Sequence, residues 1–184
     1  MSLSHQHINT LIEQCKTGTQ SAQMEVYNRY YKAMYNAAFR IVKNSFEAED
    51  IMQDSFLTAF TKLNTLNDIN TFGAWLKRIV INNSIQHFNK NSKHSDVPFD
   101  TVMYKVEDTY VDTDKDDTAK QKAQLVLQKM NGLKDNYRIA LTLHLIEGYD
   151  YEEVSSIMNI SYANCRTTIS RAKDSLRQKL EHIV

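Results

Sequence analysis

Glycine and proline are nearly missing from this chain, whose 184 residues include four Gly and one Pro. Sheet-rich folds turn often, and tight turns draw on those two residues, so architectures built of hairpins are disfavoured. Cysteine is scarce too. Cys15 and Cys165 stand far apart among apolar helical neighbours, which suits reduced core thiols better than a disulfide or a metal site. No run approaches the roughly 18 apolar residues of a membrane span, and no basic-then-apolar leader opens the sequence; a cytoplasmic protein is expected. Neither sign of charge prevails, since 22 basic residues face 22 acidic ones. The whole chain therefore carries no net attraction for a polyanion.

Chemical motifs are also lacking. There is no Gly-rich phosphate loop, nucleophile elbow or zinc-protease signature, and Glu152-Glu153 is better used in helix capping than in acid-base chemistry. His5-Gln-His7 has no third ligand nearby. Asp112-x-Asp-x-Asp116 imitates the start of a calcium loop, but its sixth position is Asp117 and its twelfth Ala123, where that loop needs Gly and a bidentate Glu. No enzyme, no metal, no cofactor and no small-molecule substrate are expected.

What is present is helical periodicity. Four helices are predicted over Gln6 to Lys16, Ala22 to Val42, Phe46 to Leu63 and Phe72 to Asn89, with stripes such as Val26, Tyr30, Met34, Ala37, Ala38 and Ile41 at three-to-four spacing. On the last of these helices, Phe72, Trp75, Leu76 and Ile79 share core spacing, which predicts a buried Trp75. From Asn91 to about Asp117 apolar residues thin out, Pro98 appears and Asp dominates. Helical spacing returns at Leu125, Leu127 and Met130, then at Ile139, Leu141, Leu143, Leu145 and Ile146. The reading is an all-α chain of two small helical domains, a bundle over 1–93 and a second domain over 121–184, joined by an acidic, flexible linker over 94–120.

The charge balance follows these divisions. Residues 1–95 hold 10 bases and 7 acids, residues 96–124 hold 4 and 8, and residues 125–184 hold 8 and 7. Two basic stretches survive the neutral total: Lys77, Arg78, Lys90 and Lys93 with no acid among them, and five bases against two acids from Tyr162 onward.

The second stretch sits in a recognisable local frame. Asp150-Tyr-Glu-Glu153 has capping-box form, so a short helix should start at Tyr151. Asn159 can take the left-handed conformation after it, and Ser161 can cap the next helix. This is a helix-turn-helix. Cys165, Ile169, Ala172, Leu176, Leu180 and Ile183 form the buried stripe of its second helix. The other side presents Arg166, Thr167, Ser170, Arg171 and Gln178, with Lys173 and Arg177 at the margins. Guanidinium forks and hydroxyls suit base edges and phosphates. A solvated surface helix could look similar, but it has no need of a capped partner held at a fixed angle.

The stretch from Gly148 to Lys173, with its ending Ile169-Ser-Arg-Ala-Lys-Asp-Ser-Leu-Arg177, resembles region 4 of extracytoplasmic-function sigma factors. Upstream, Glu47-Ala-Glu-Asp-Ile-Met-Gln-Asp-Ser-Phe-Leu-Thr-Ala-Phe60 resembles region 2.2. Phe72-Gly-Ala-Trp-Leu-Lys-Arg-Ile-Val-Ile-Asn-Asn-Ser-Ile-Gln-His-Phe-Asn-Lys90 resembles regions 2.3 and 2.4, so the similarity spans both domains. It implies promoter-specific transcription initiation, with core RNA polymerase and promoter DNA as partners. Asp50, Gln53, Asp54 and Leu57 would dock on the coiled coil of the polymerase's largest subunit. Asn82, the loop from Leu66 to Thr71, and Lys77, Arg78, Lys90 and Lys93 would hold the opened −10 element. Arg166, Thr167, Ser170, Arg171, Lys173 and Arg177 would contact the −35 duplex. An anti-sigma antagonist is also implied, in many family members a membrane protein. Gln86 and Asn89 stand where the family commonly has Asp and Arg, and the loop has no basic residue. Two rivals remain: a helix-turn-helix regulator that never enters polymerase, and a decoy for an anti-sigma protein. The first would not need the acidic docking face, and the second would not need an intact reading face.

Overall fold

Local signals set the ends of most helices. In the computed structural model, which describes residues 6–92 and 117–181, His7 accepts the Asn9 amide through Nδ1 at 3.3 Å and starts α1, Ile8–Lys16. Gly18, at φ +80°, turns the chain into α2, Gln20–Val42. Lys43 ends α2 in the left-handed region at φ 59°, and Asn44 caps α3, Ser45–Thr61, by accepting the amides of Phe46 and Glu47 at 3.0 and 3.1 Å. Two single 3₁₀ turns, Leu63–Thr65 and Ile69–Thr71, lead into α4, Phe72–Ser92.

These four helices close over one core. Leu11, Ile12 and Cys15 of α1, Val26, Met34 and Ala38 of α2, Ile51, Met52 and Phe56 of α3, and Phe72, Leu76 and Val80 of α4 are all buried in it. Burial of such side chains, each contributing about 1.5–3 kcal/mol, is what holds the bundle. α4 comes so near α2 that a Cβ on Gly73 would lie 3.1 Å from the Tyr30 ring. Trp75 is the exception to the expected stripe. The buried row runs Phe72, Leu76, Val80 and Ser84, with Ile81 and Ile85 beside it, and this phase leaves Trp75 and Ile79 half-buried at the rim.

The described part of the second compact unit begins with α5, Asp117–Asn131. It starts several residues before the apolar spacing that signals it, since its first turns are polar. α6, Asp135–Leu141, runs directly into a π turn, Thr142–Ile146, followed by α7, Tyr151–Met158, and α8, Tyr162–Glu181. Leu141, Leu143, Val154, Cys165, Ile169 and Ala172 form its core. The π turn adds a residue to the cycle and so rotates Leu145 outward, to 50 % exposure, where simple periodicity would bury it. Arg138 is 1 % exposed and bonds Asp135 at 3.0 Å.

The two-domain, all-helical reading holds: among the described residues there are helices and turns but no strand. None of these helices is long and apolar enough to cross a membrane. Lys93, Pro98, His5 and the Asp112–Asp116 stretch lie outside the described residues.

Both cysteines are buried and free, and burial pushes the Cys15 thiol from 9.0 up to about 11 and the Cys165 thiol upward as well. A thiol raised in the folded state leaves stability unaffected below its ordinary value and erodes it as pH climbs from 9.0 toward 11, because the unfolded chain ionises first. Native protein at pH 8 should therefore react with a thiol reagent on the order of tenfold or more slowly than urea-unfolded protein. Equal rates for both thiols in the two states would refute the burial.

Candidate functional site

Among the described residues, three exposed surfaces carry the residues that the sequence singles out. The first lies on unit 2. Glu153 donates its amide to Asp150 Oδ1 at 2.8 Å, and Asp150 donates its own to Glu153 Oε2 at 3.1 Å, so the capping box is complete. Asn159 ends α7 in the left-handed region, at φ 54° and ψ 49°. Ser161 Oγ then accepts the Asn164 amide at 3.2 Å and opens α8. Each feature satisfies helix-end groups that would otherwise lack partners, and together they fix the angle between α7 and α8.

Arg166, Thr167, Ser170 and Arg171 are exposed on α8 opposite the buried row Cys165, Thr168, Ile169, Ala172 and Leu176. Thr167 donates its hydroxyl to Ala163 O at 3.0 Å, which turns the oxygen's remaining lone pairs and the methyl outward. Lys173 is half-buried at the margin. Arg177 is exposed but tied to Asp174 at 2.8 Å. Sequence reasoning passed over Asp174, which stands eight residues from Arg166, about 80° round the helix, in the middle of the exposed side. Its sign could have shown that the cationic face is interrupted there.

The second surface is on α4. Steps of about 100° per residue align Trp75, Arg78, Asn82, Gln86 and Asn89 on the outer row. Asn82 is exposed at its centre, and Arg78 is half-buried beside it. Lys90 is exposed about 80° away from Asn82, whereas Lys77 is half-buried about 140° away. The structure thus brings Arg78 and Asn82 together and sets Lys77 on a different face. Ahead of this row, the Leu66–Thr71 loop is held by Asp68, whose Oδ1 accepts the Asn70 amide at 3.0 Å and its side-chain amide at 2.9 Å. Asn70 Oδ1 in turn accepts Asn9 Nδ2 of α1 at 3.0 Å. Leu66 is buried, while Asn67, Asp68, Asn70 and Thr71 are exposed.

The third surface is the outer ridge of α3. Asp50, Gln53, Asp54 and Leu57 are all exposed, Leu57 to 67 %. Directly behind them, Ser55 is buried, donates to Ile51 O at 2.6 Å and accepts Asn83 Nδ2 of α4 at 2.9 Å. The ridge is therefore anchored to α4 by its far side. α3 has no Lys or Arg anywhere along it. Nor do Asp50 and Asp54 pair with a cation among the described residues.

Comparison with known proteins assigns both units. The family model for Sigma-70 region 2 matches residues 26–94 and that for Sigma-70 region 4 matches 123–176. The ECF RNA polymerase sigma factor SigW of Bacillus subtilis is 28 % identical over 192 residues, covering 96 % of this chain and 98 % of its own. The chain belongs to the extracytoplasmic-function sigma factors. SigM of the same organism is 28 % identical over 153 residues, covering 83 % of this chain and 91 % of its own. The fold matches the sigma factor RpoE, solved in complex with the anti-sigma factor NepR from Bartonella quintana, with a TM-score of 0.60 at 22 % identity over 88 % of this chain and 98 % of that one. CnrH, solved with the cytosolic domain of CnrY, matches with a TM-score of 0.55 at 21 % identity over 96 % and 99 %.

Membership makes the protein a transcription initiation factor. In this sigma factor the region 2 match starts inside α2, yet α1 supplies three core residues and the Asn9 bond to the loop.

The helix-turn-helix of region 4 depends on its caps. Asp150→Ala removes one side of the capping box and should cost about 1 kcal/mol, read as a lower urea midpoint for the unit 2 transition with unit 1 unaffected. An unchanged midpoint would show that the box is ornamental.

Proposed function

We propose that three surfaces divide the work of initiation in this sigma factor, with the first domain, 1–93, docking and melting and the second, 121–184, reading duplex DNA. α8 enters the −35 major groove. Arg166 and Arg171 address base edges or phosphates, Thr167 and Ser170 supply hydroxyl contacts, and Lys173 and Arg177 lie toward the backbone. The outer row of α4 takes the opened −10 strand. Asn82 offers an amide to read an unstacked base, the Leu66–Thr71 loop forms one wall, and Arg78, Lys90 and Lys93 follow the backbone, while Lys77, on another face of α4, is left out of this row. Of the described cations among these, Arg78 stands nearest to Asn82 round the helix, about 40° away.

The α3 ridge docks on the coiled coil of the polymerase's largest subunit. Acids around an apolar centre suit an arginine-bearing helix through charge-assisted hydrogen bonds. The single observation that carries this reading is the coexistence, in one chain, of a capped helix-turn-helix with a cationic face and a cation-free docking ridge on the other unit. A regulator acting alone needs only the first. The work is placed in the cytoplasm, where core polymerase and promoters are, with an anti-sigma antagonist as a further partner. RNA synthesis belongs to the polymerase, and no catalytic role falls to this chain.

Run-off transcription with purified core polymerase tests the whole: a promoter-specific start that requires this protein is expected. No such start on any promoter selected from genomic fragments would defeat the proposal. Within the reading face, Arg166→Ala should cost about 1–3 kcal/mol in holoenzyme affinity for the −35 element and relax its sequence preference. Arg177→Ala should cost less, because Asp174 already holds that guanidinium. The reverse order would shift the groove-facing part of α8 by three turns.

Asp54→Ala should weaken core binding by about tenfold while leaving the unit 2 fold and its DNA preference within bound holoenzyme unchanged. Altered promoter preference at saturating protein would contradict the division of labour.

A further inference from the structure

Large apolar side chains left in water singly are ordinary; several along one line mark a contact. Among the described residues of unit 1, three such side chains are exposed: Met24, Phe46 and Leu57. Two of the three stand on α3. Phe46, at 79 %, is the most exposed of them, and it lies outside the docking set of Asp50, Gln53, Asp54 and Leu57. Eleven residues separate it from Leu57, which is three turns of helix, about 16 Å, and a net rotation of only about 20°. The two side chains thus head one row, with Gln53 between them, Asp50 and Asp54 on one flank and Glu49 on the other. All four are exposed, and Gln53 Nε2 donates to Glu49 Oε1 at 3.3 Å. Ser55, about 180° from Phe46, is a point by which α3 is tied to α4.

We infer that Phe46 is a second apolar anchor of the docking surface, and that its occupant is a cation-bearing helix of core polymerase with two apolar hollows about three turns apart. This rests on the docking role proposed for the ridge. Charge selects the occupant: a stripe holding Glu49, Asp50 and Asp54 with no Lys or Arg along α3 repels nucleic acid and repels a second copy of itself, and it attracts Arg and Lys. Continuity selects the same occupant, because a helix lying along Asp50 to Leu57 and continuing for one more turn meets Phe46. With an anchor at each end, the partner helix must lie nearly parallel or antiparallel to α3. A single anchor at Leu57 would leave that direction unset.

The test uses full-length protein and purified core polymerase, with affinity read by competition against a labelled wild-type chain. Phe46→Ala should weaken binding about tenfold, and Phe46→Leu should stay within about twofold of wild type, since an apolar group persists. Because the residue is exposed, the thermal midpoint of each variant should match wild type. At about 16 Å the losses from Phe46→Ala and Leu57→Ala should multiply in the double variant. Asp54→Ala, measured in parallel, separates the second anchor from docking itself. If Asp54→Ala weakens binding and Phe46→Ala does not, the second anchor is overturned and docking stands. If neither weakens it, the docking reading fails and this inference with it. If Phe46→Ala spares polymerase binding but abolishes self-association in sedimentation, the ridge faces a second copy and the assignment is wrong.

Discussion

The seam between α3 and α4 is pinned at its middle by the buried hydroxyl of Ser55, which accepts Asn83 Nδ2 at 2.9 Å and donates to Ile51 O at 2.6 Å, while nearer the start of α3 Asn91 donates to Glu47 Oε1 at 3.2 Å. An apolar seam can slide at modest cost, whereas a buried amide and hydroxyl lose their partners if the register moves, at about 1–3 kcal/mol for each group left unpaired. The contact therefore fixes more than stability. With Ser55 turned inward, the opposite side of α3 must present Phe46, Gln53 and Leu57. With Asn83 turned toward α3, its neighbour Asn82 is carried to the exposed row of α4. The ridge proposed for docking and the row proposed for the opened strand are two outer faces of one internal lock.

That dependence explains what the sequence could disclose. Asp150, Glu153, Asn159 and Ser161 are readable residue by residue, because a cap involves groups three positions apart and needs no knowledge of the rest of the fold. The same holds for the stripe from Cys165 to Leu176. Trp75 and Leu145 were harder. Each lies on an apolar spacing that fits a helix, but its burial depends on which of two overlapping stripes meets a neighbour, and for Leu145 on a π turn that changes the phase midway. Lys77 shows the same limit for charge. Grouped with Arg78 by adjacency, it faces a direction set by the packing of α4 and not by its neighbours in the chain.

Charge in this sigma factor works by placement. A neutral total would bind neither DNA nor polymerase with any preference, yet α3 has acids and no base, and the first turns of α8 have bases and no acid until Asp174. Segregation of this kind, with acids alone along α3 and bases alone in the first turns of α8, would let a single chain meet a polyanion and a cationic helix at once. Asp174 then gains a meaning that a count of bases would miss. It interrupts the cationic face of α8 about three turns into the helix, just after Lys173, and it holds Arg177.

The part of unit 1 that the region 2 match leaves out is structurally the most informative. α1 ends in the core with Leu11, Ile12 and Cys15 and reaches across 61 residues of sequence through Asn9 to Asn70. Asn70 is itself bound to Asp68, so the loop ahead of α4 is held from within by a carboxylate and from outside by an amide. A loop without a basic residue cannot draw a nucleic acid strand by charge. In the role proposed for it, what it can offer is shape: a wall whose backbone is already held before a strand arrives, so that less conformational entropy is lost on binding. On this argument the missing cations and the added tether are two sides of one solution, in which α1 supplies by rigidity what the loop lacks in charge.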